Sequence, residues 1–298
     1  MDPHKDHKAI VDHGIPFCSR EGQAFLRLPL FAGGCYGFAI RSLDFRNWFF
    51  SEFHNRYDHL PTESEFRAIM THLEAQASSD PLRKRAVFRR VGSRSHPTTC
   101  RTIDVYLDLS NQEGRYVHIT ADDWKIVAAD KVDFLIARSP SISPNPKAPA
   151  RSTNSVPLIN PATDADWLRA QAWLLAALRV DRPIPILTIQ GEAGSGKTMA
   201  MRLLHTLIDP TAAPVLQSPS RVSELLNLAR NTWVLPFDEV RKLSPAMASV
   251  LNRLSSGIGV TTREAGLPTS EPLLQFFRRP IMMAVTKKWK CPEALAEK

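Results

Sequence analysis

Eight residues, Gly191-Glu192-Ala193-Gly194-Ser195-Gly196-Lys197-Thr198, carry the pattern in this chain best suited to chemistry. Glycines at this spacing let the backbone fold tightly, so that successive N–H groups converge on one anion. An apolar run from Ile184 to Ile189 precedes the glycines, and an apolar-periodic run begins at Met199. A turn between a buried strand and a helix is the context that separates a phosphate-binding loop from a glycine-rich turn that binds nothing. The helix starting near Lys197 adds the positive end of its dipole. Lys197 is placed to reach the β- and γ-phosphates of a nucleoside triphosphate, and the Thr198 hydroxyl to bind Mg²⁺. The expected ligands are therefore ATP and Mg²⁺, held by Gly191, Glu192, Ala193, Gly194, Ser195, Gly196, Lys197 and Thr198.

A second element completes such a site. Trp233-Val234-Leu235-Pro236-Phe237-Asp238-Glu239 is an apolar run ending in two acids. A buried strand of this kind delivers a carboxylate to the Mg²⁺ shell, the role expected of Asp238. Glu239 then stands where a base that orients an attacking water belongs. The plainer alternative is a strand end with two solvated acids. Pro236 removes a ladder donor from what should be a central strand, so a local irregularity is expected there. Thr286 ends a further apolar run, Ile281 to Val285, and would stand near the γ-phosphate if that strand lies beside the phosphate-loop strand. Arg263, after the Gly257-Ile258-Gly259 segment, is a candidate contact to a neighbour's phosphate or to nucleic acid.

Other constellations are weaker. Asp104 and Asp108 share a face with Tyr106 in an alternating run, and paired carboxylates can hold a metal. The expected outcome is the solvent face of an antiparallel sheet, with no second active site. Arg83, Lys84, Arg85, Arg89, Arg90 and Arg94 form the densest basic patch of the N-terminal part and could meet a phosphate backbone, although a charge run is more often a solvated face. Lys287, Lys288, Trp289 and Lys290 mix basic and aromatic residues as single-stranded nucleic acid requires, and suit an ordinary polar surface equally. The cysteines Cys18, Cys35, Cys100 and Cys291 form no CxxC pair, which argues against a disulfide framework or zinc site.

The chain has 298 residues, 43% hydrophobic and 23% charged, with a formal net charge of +8. That is a globular composition long enough for two domains, and its sign favours nucleic acid, DNA before RNA, over a membrane. No apolar run reaches membrane-span length and the start is too polar for a signal peptide, so a reduced cytoplasmic protein is expected. Residues 1–138 are expected to form a smaller α+β domain that binds nucleic acid or a partner. In it, strands cover 24–30, 36–40, 86–91, 103–109, 116–120, 124–128 and 132–137, and helices 43–53 and 63–77. The second helix opens on the capping box Thr62-Glu63-Ser64-Glu65. A Pro/Ser-rich linker covers 139–160. The second domain, 161–298, opens on a helix capped at Thr163, and further helices are expected near 198–208, 221–230 and 246–254.

Taken in order, these motifs resemble the superfamily 3 helicases, AAA+-like ATPases of viruses, phages and mobile elements. More narrowly, the phosphate loop (Walker A), the Trp233–Asp238 run (Walker B), Leu251 to Gly259 and Thr262-Arg263 look like the ATPase module of phage and mobile-element primase–helicase proteins. Trp124, Trp173-Leu174-Leu175 and Asp209-Pro210 look similar too. The resemblance covers the second half well and the first half loosely. It implies an α/β fold, a three-layer P-loop NTPase domain, and an ATP-driven homo-oligomeric ring that moves or remodels DNA. The strand that usually ends in a sensor asparagine here has Ala284 or Thr286. Relatives continue beyond the position of Lys298 into a segment with an arginine finger and a lid, so a C-terminally shortened form is expected. The alternative to an ATPase of helicase type is therefore a hydrolytically weak ATP-binding regulator or adaptor. A small-molecule kinase would need an Arg-rich lid and an acceptor pocket, and neither is evident.

Overall fold

The structure, a computed structural model, describes residues 9–29, 35–79, 84–96, 98–99, 102–111, 113–128, 132–135, 159–262 and 273–296. The architecture is mixed α/β. Most of the expected linker, Arg83, Cys100 and Arg263 lie outside the described residues.

The N-terminal part opens with an antiparallel sheet of β1 (Ile15–Cys18), β2 (Ala24–Pro29) and β3 (Cys35–Ala39). Two helices follow, α1 (Leu43–Tyr57) and α2 (Glu63–Ser78). Phe45, Phe49 and Phe53 recur every fourth residue and so share one face of α1, where all three are buried. Phe66 of α2 meets that stripe with its ring centroid 5.5 Å from Phe49 and 6.0 Å from Phe45. Each such side chain contributes about 1.5–3 kcal/mol on burial. The Thr62 capping box forms as the sequence predicts, the Thr62 hydroxyl accepting from the Glu65 N–H while the Glu65 carboxylate accepts from the Thr62 N–H.

A second antiparallel sheet runs β5 (Val91–Ser95), β6 (Thr102–Asp108), β7 (Arg115–Ile119) and β8 (Trp124–Ala128) in chain order. The strand expected over 86–91 is broken: β4 (Val87–Phe88) pairs in parallel with β9 (Asp133–Phe134), and β5 starts afresh at Val91. Asp104 and Asp108 do share a face with Tyr106, but that face is buried rather than solvated. Polar partners that cover the two carboxylates are the reason. Asp104 accepts from Arg94 at 2.8 Å and lies 3.3 Å from His118, whose ring stacks on Tyr106. Asp108 accepts from the Ser110 N–H and hydroxyl at 2.9 and 3.0 Å. Among the described residues no group of three or more His, Cys, Asp or Glu side chains could hold a metal ion.

The C-terminal part is built on a parallel sheet ordered β10 (Leu187–Gly191), β15 (Ile281–Thr286), β12 (Leu235–Asp238), β11 (Leu216–Gln217). Helices α3 (Asp164–Ala177) and α4 (Lys197–Ile208) pack on one face, and α5 (Val222–Asn231) and α6 (Pro245–Ser256) on the other. Alternation along β15 divides the two cores: Ile281, Met283 and Val285 join Leu225, Leu251 and Leu254, while Met282 and Ala284 join Trp173, Met201 and Leu204. Burial on both faces explains why the inner strands β12 and β15 read as continuous apolar runs. Val91, Val105 and Leu107 of the second N-terminal sheet pack against the α3–α4 core, so the two parts share it. A hairpin of β13 (Ile258–Thr262) and β14 (Leu273–Phe277) and a short α7 (Glu293–Ala296) complete the described elements.

Pro236 causes no irregularity. Residues 235–237 pair with 281–283 of β15 in unbroken register. The Leu235 N–H donates to Pro280 on that side, and the ladder with β11 on the other side begins only at Phe237. Proline therefore sits where its missing N–H interrupts neither ladder.

Candidate functional site

The glycine loop leaves the C-terminal end of β10 and enters α4 directly. Gly194 and Gly196 adopt φ of 76° and 84°, a left-handed backbone that side-chain-bearing residues rarely adopt. Gly196 is the N-cap of α4 and has no side chain to cap it, which leaves the first N–H groups of the helix available to an anion. A Cβ on Gly191 would lie 2.5 Å from the Ser195 hydroxyl, so a larger residue there would have to turn that side chain aside. Lys197 turns its ammonium back to donate to the Glu192 carbonyl at 2.6 Å.

Asp238 ends β12 beside this loop. The Thr198 hydroxyl donates to its Oδ2 at 2.7 Å, and the Glu239 N–H donates to its Oδ1 at 2.8 Å. The first turn of α4 and the end of β12 are thus brought together across the sheet, as the two motifs require. Thr286 stands opposite Gly191 in the β10–β15 register, exposed at the same strand ends. Gln190 crosses over it, donating to the carbonyls of Thr286 and Lys287 at 3.3 and 2.9 Å. Glu239 has φ of 48° and faces outward, its carboxylate exposed and 3.5 Å from Arg241.

The far ends of the same elements are fixed by a buried polar network that the motifs did not reveal. Asp209 follows α4 and accepts from the N–H groups of Trp233 and Val234 at 3.1 and 3.0 Å, joining the end of α4 to the approach to β12. Arg90, from between β4 and β5, donates to the Ile208 carbonyl at 2.9 Å and to Ser110 at 2.7 Å, with Asp209 3.9 Å away. Burial pulls the Arg90 guanidinium below its usual range, against the pull of Asp209 and Asp108. Burial likewise lowers His205 on α4, opposed by Asp209. Burial pushes the Asp108 carboxyl up to about 6 despite its bonds to Ser110 and the nearby Arg90 charge. The sequence singled out Arg90 within a basic run, Asp209 through the resemblance and Asp108 as a paired carboxylate, but nothing in it joined the three.

That basic run is largely consumed inside the molecule. Arg85 pairs with Asp133 at 3.3 Å, Arg94 with Asp104 and Arg90 with its buried acceptors, while Lys84 remains exposed. Trp289 packs partly buried against the α5–α6 core, between exposed lysines at 288 and 290.

A mixed α/β chain with a glycine loop between strand and helix, and a strand-end carboxylate beside it, is the class defined by this geometry. Residues 154–297, just under half of the chain, match the family model of the actinomycete integrative conjugative element replication protein. No curated protein matches the chain. The matched span holds the glycine loop, Asp238 and Thr286. Among the described residues no helix is long and apolar enough to cross a membrane.

Proposed function

We propose that this chain is a P-loop ATPase, AAA+-like and of helicase or DNA-remodelling type, acting in the replication of a mobile element. The observation that carries this is the 2.7 Å contact between Thr198 and Asp238, which joins the loop helix to the strand-end acid. Support also comes from the order of the parallel sheet, in which β15 lies between the loop strand and the acid-bearing strand, and from the similarity to a replication protein.

In this proposal the loop N–H groups and Lys197 bind the ATP phosphates, the lysine exchanging the Glu192 carbonyl for a phosphate oxygen. Thr198 and Asp238 fit a Mg²⁺ ion, since a hydroxyl and a carboxylate, both hard oxygen donors, already converge there. The ion, when bound, neutralises charge on the phosphate oxygens. Glu239 orients water, and Thr286 hydrogen-bonds near the γ-phosphate. Assembly into a homo-oligomeric ring would let a neighbour contribute the remaining positive charge, with Arg263 one candidate for a contact to that neighbour or to DNA. The test is ATP turnover with and without single-stranded DNA, for wild type and Glu239→Gln, beside sizing in ATP. DNA-stimulated turnover by an oligomer, abolished in the variant, is expected. Turnover equal in wild type and variant contradicts it.

A second reading has its own observation. The Glu239 carboxylate is exposed to solvent and lies 3.5 Å from Arg241. A hydrolytically weak ATP-binding regulator would keep it there, giving tight nucleotide binding by a monomer with no DNA-stimulated turnover.

A further inference from the structure

A cleft of about 980 Å³ lies between the N-terminal part and the end of the parallel sheet where its strands begin. One wall is the turn after β1 with β4 and β5; the other is the end of α5, the approach to β12 and the segment from β14 to β15. Gln275 reaches across to Gln23 at 3.5 Å. The phosphate loop, Asp238 and Thr286 occupy the opposite ends of these strands. At about 3.3 Å per residue the two sites are roughly 15–20 Å apart, so the cleft is separate from the ATP site.

The cleft lining carries eight Arg or Lys side chains against four Asp or Glu, and of the eight, Arg85 pairs with Asp133 and Arg94 with Asp104. Two of those acids are already neutralised: Asp133 lies 3.6 Å from Arg27 and 3.3 Å from Arg85, and Asp181 lies 3.1 Å from Arg179 and 3.7 Å from Arg182. The cations at the cleft floor are held by neutral acceptors. Arg278 donates to the carbonyls of Ser256 and Val180, and Arg279 to those of Ala229 and Arg278. Among the described residues neither makes an ion pair with a carboxylate, although Asp181 attracts Arg278 and Asp209 attracts Arg279 from further away. Arg279 also lies 5.3 Å over the Trp233 ring and 5.4 Å over Phe277. Burial, then the like charge of Arg89, lowers its guanidinium to about 9, which keeps it protonated at neutral pH. Arg20 and Lys84 line the other wall, exposed. Between the walls Phe276 is 57% exposed, with the Arg278 guanidinium 5.3 Å from its ring.

We propose that this cleft binds a single strand of nucleic acid, its cations taking the phosphates and Phe276 stacking on a base. Fixed positive charge in excess of the carboxylates beside it suits a phosphate backbone, and an open aromatic ring inside it finds a partner only where bases are unstacked. A duplex would satisfy the cations and leave the ring unused. This inference rests on the DNA-related role above but not on ATP hydrolysis.

The test uses the full chain and a fluorescent oligo-dT strand, with affinity measured by anisotropy over a salt series. Arg20→Glu combined with Lys84→Glu alters two exposed side chains. It should weaken binding at least about tenfold and flatten the salt dependence by about 0.7 per lost contact. Phe276→Ala should cost about fivefold or more on the single strand and nothing on a duplex of equal length. Fluorescent ATP binding should be unchanged in all of these, whereas Lys197→Ala should lose ATP and keep the strand. Charge-reversed protein that binds with wild-type affinity and salt slope would overturn the cleft while leaving the ATPase proposal standing. Equal Phe276→Ala losses on duplex and single strand would overturn the single-strand assignment. Wild-type protein that binds no strand at all would remove both the cleft and the DNA role.

Discussion

The hydroxyl of Thr198 and the carboxylate of Asp238 meet at 2.7 Å although 40 positions separate them. Thr198→Val keeps the branched shape and deletes the hydroxyl. If the pair holds Mg²⁺, this variant should lose about tenfold of the Mg²⁺-dependent part of ATP affinity and none of the affinity measured in chelator; calorimetric titrations with and without Mg²⁺ check it. Both residues were legible because their motifs are local: glycines, lysine and threonine at fixed spacing, and an acid closing an apolar run. Asp104 and Asp108 show the converse. Alternation revealed that they share a face, but not that the face is covered, because covering depends on Arg94 and His118 arriving from neighbouring strands and on Ser110 turning back onto Asp108. The Asp108 carboxyl, raised from 3.8 to about 6 chiefly by burial, binds a proton in the folded state that the unfolded state has released. Stability should therefore fall as pH rises from about 4 to 6, by roughly 3 kcal/mol at most from this group. Asp108→Asn should flatten that slope, as urea midpoints across the same pH range would show. A slope equal to that of wild type would contradict the assignment.

Helix α4 is held at both ends, by the Thr198–Asp238 contact at its start and by Arg90 and Asp209 at its finish. Asp209 also fixes Trp233 and Val234, so the glycine loop and the Asp238 strand share one buried anchor. Arg90→Met should fill most of the space but leave Asp209 and the Ile208 carbonyl short of a cation. The expected loss is about 3 kcal/mol of unfolding free energy, read from urea denaturation; an unchanged midpoint would show the anchor to be idle. Helices with caps and amphipathic spacing were legible to within a few residues, as the Thr62 and Thr163 caps show. Strands were less so. β1 offers only Ile-Pro-Phe-Cys, without alternation, and β14 rejoins β13 from beyond the intervening residues 263–272. The expected 86–91 strand broke because Arg90 turns its side chain inward to the end of α4, a long-range demand that no local pattern carries.

Taken whole, the molecule places two different surfaces at opposite ends of one parallel sheet: the glycine loop at the strand ends and the basic cleft at the strand starts. The N-terminal part reaches both functions, through Arg90 at α4 and through Arg20 and Lys84 in the cleft. Its likeness to a mobile-element replication protein concerns residues 154–297, so the N-terminal contribution is visible only in the contacts between the two parts. The net charge of +8 pointed toward a polyanion, yet several arginines of the apparent basic patch are spent on internal carboxylates. The cleft is where we propose that polyanion binds. The central claim remains nucleotide binding at the glycine loop, and calorimetric titration of ATP with Mg²⁺ into wild type and Lys197→Ala tests it most directly. Saturable one-site binding by wild type, weakened at least about a hundredfold in the variant, is predicted from the contact proposed between the lysine and the phosphates. Equal heats and affinities in the two proteins, or no binding by either, would contradict it.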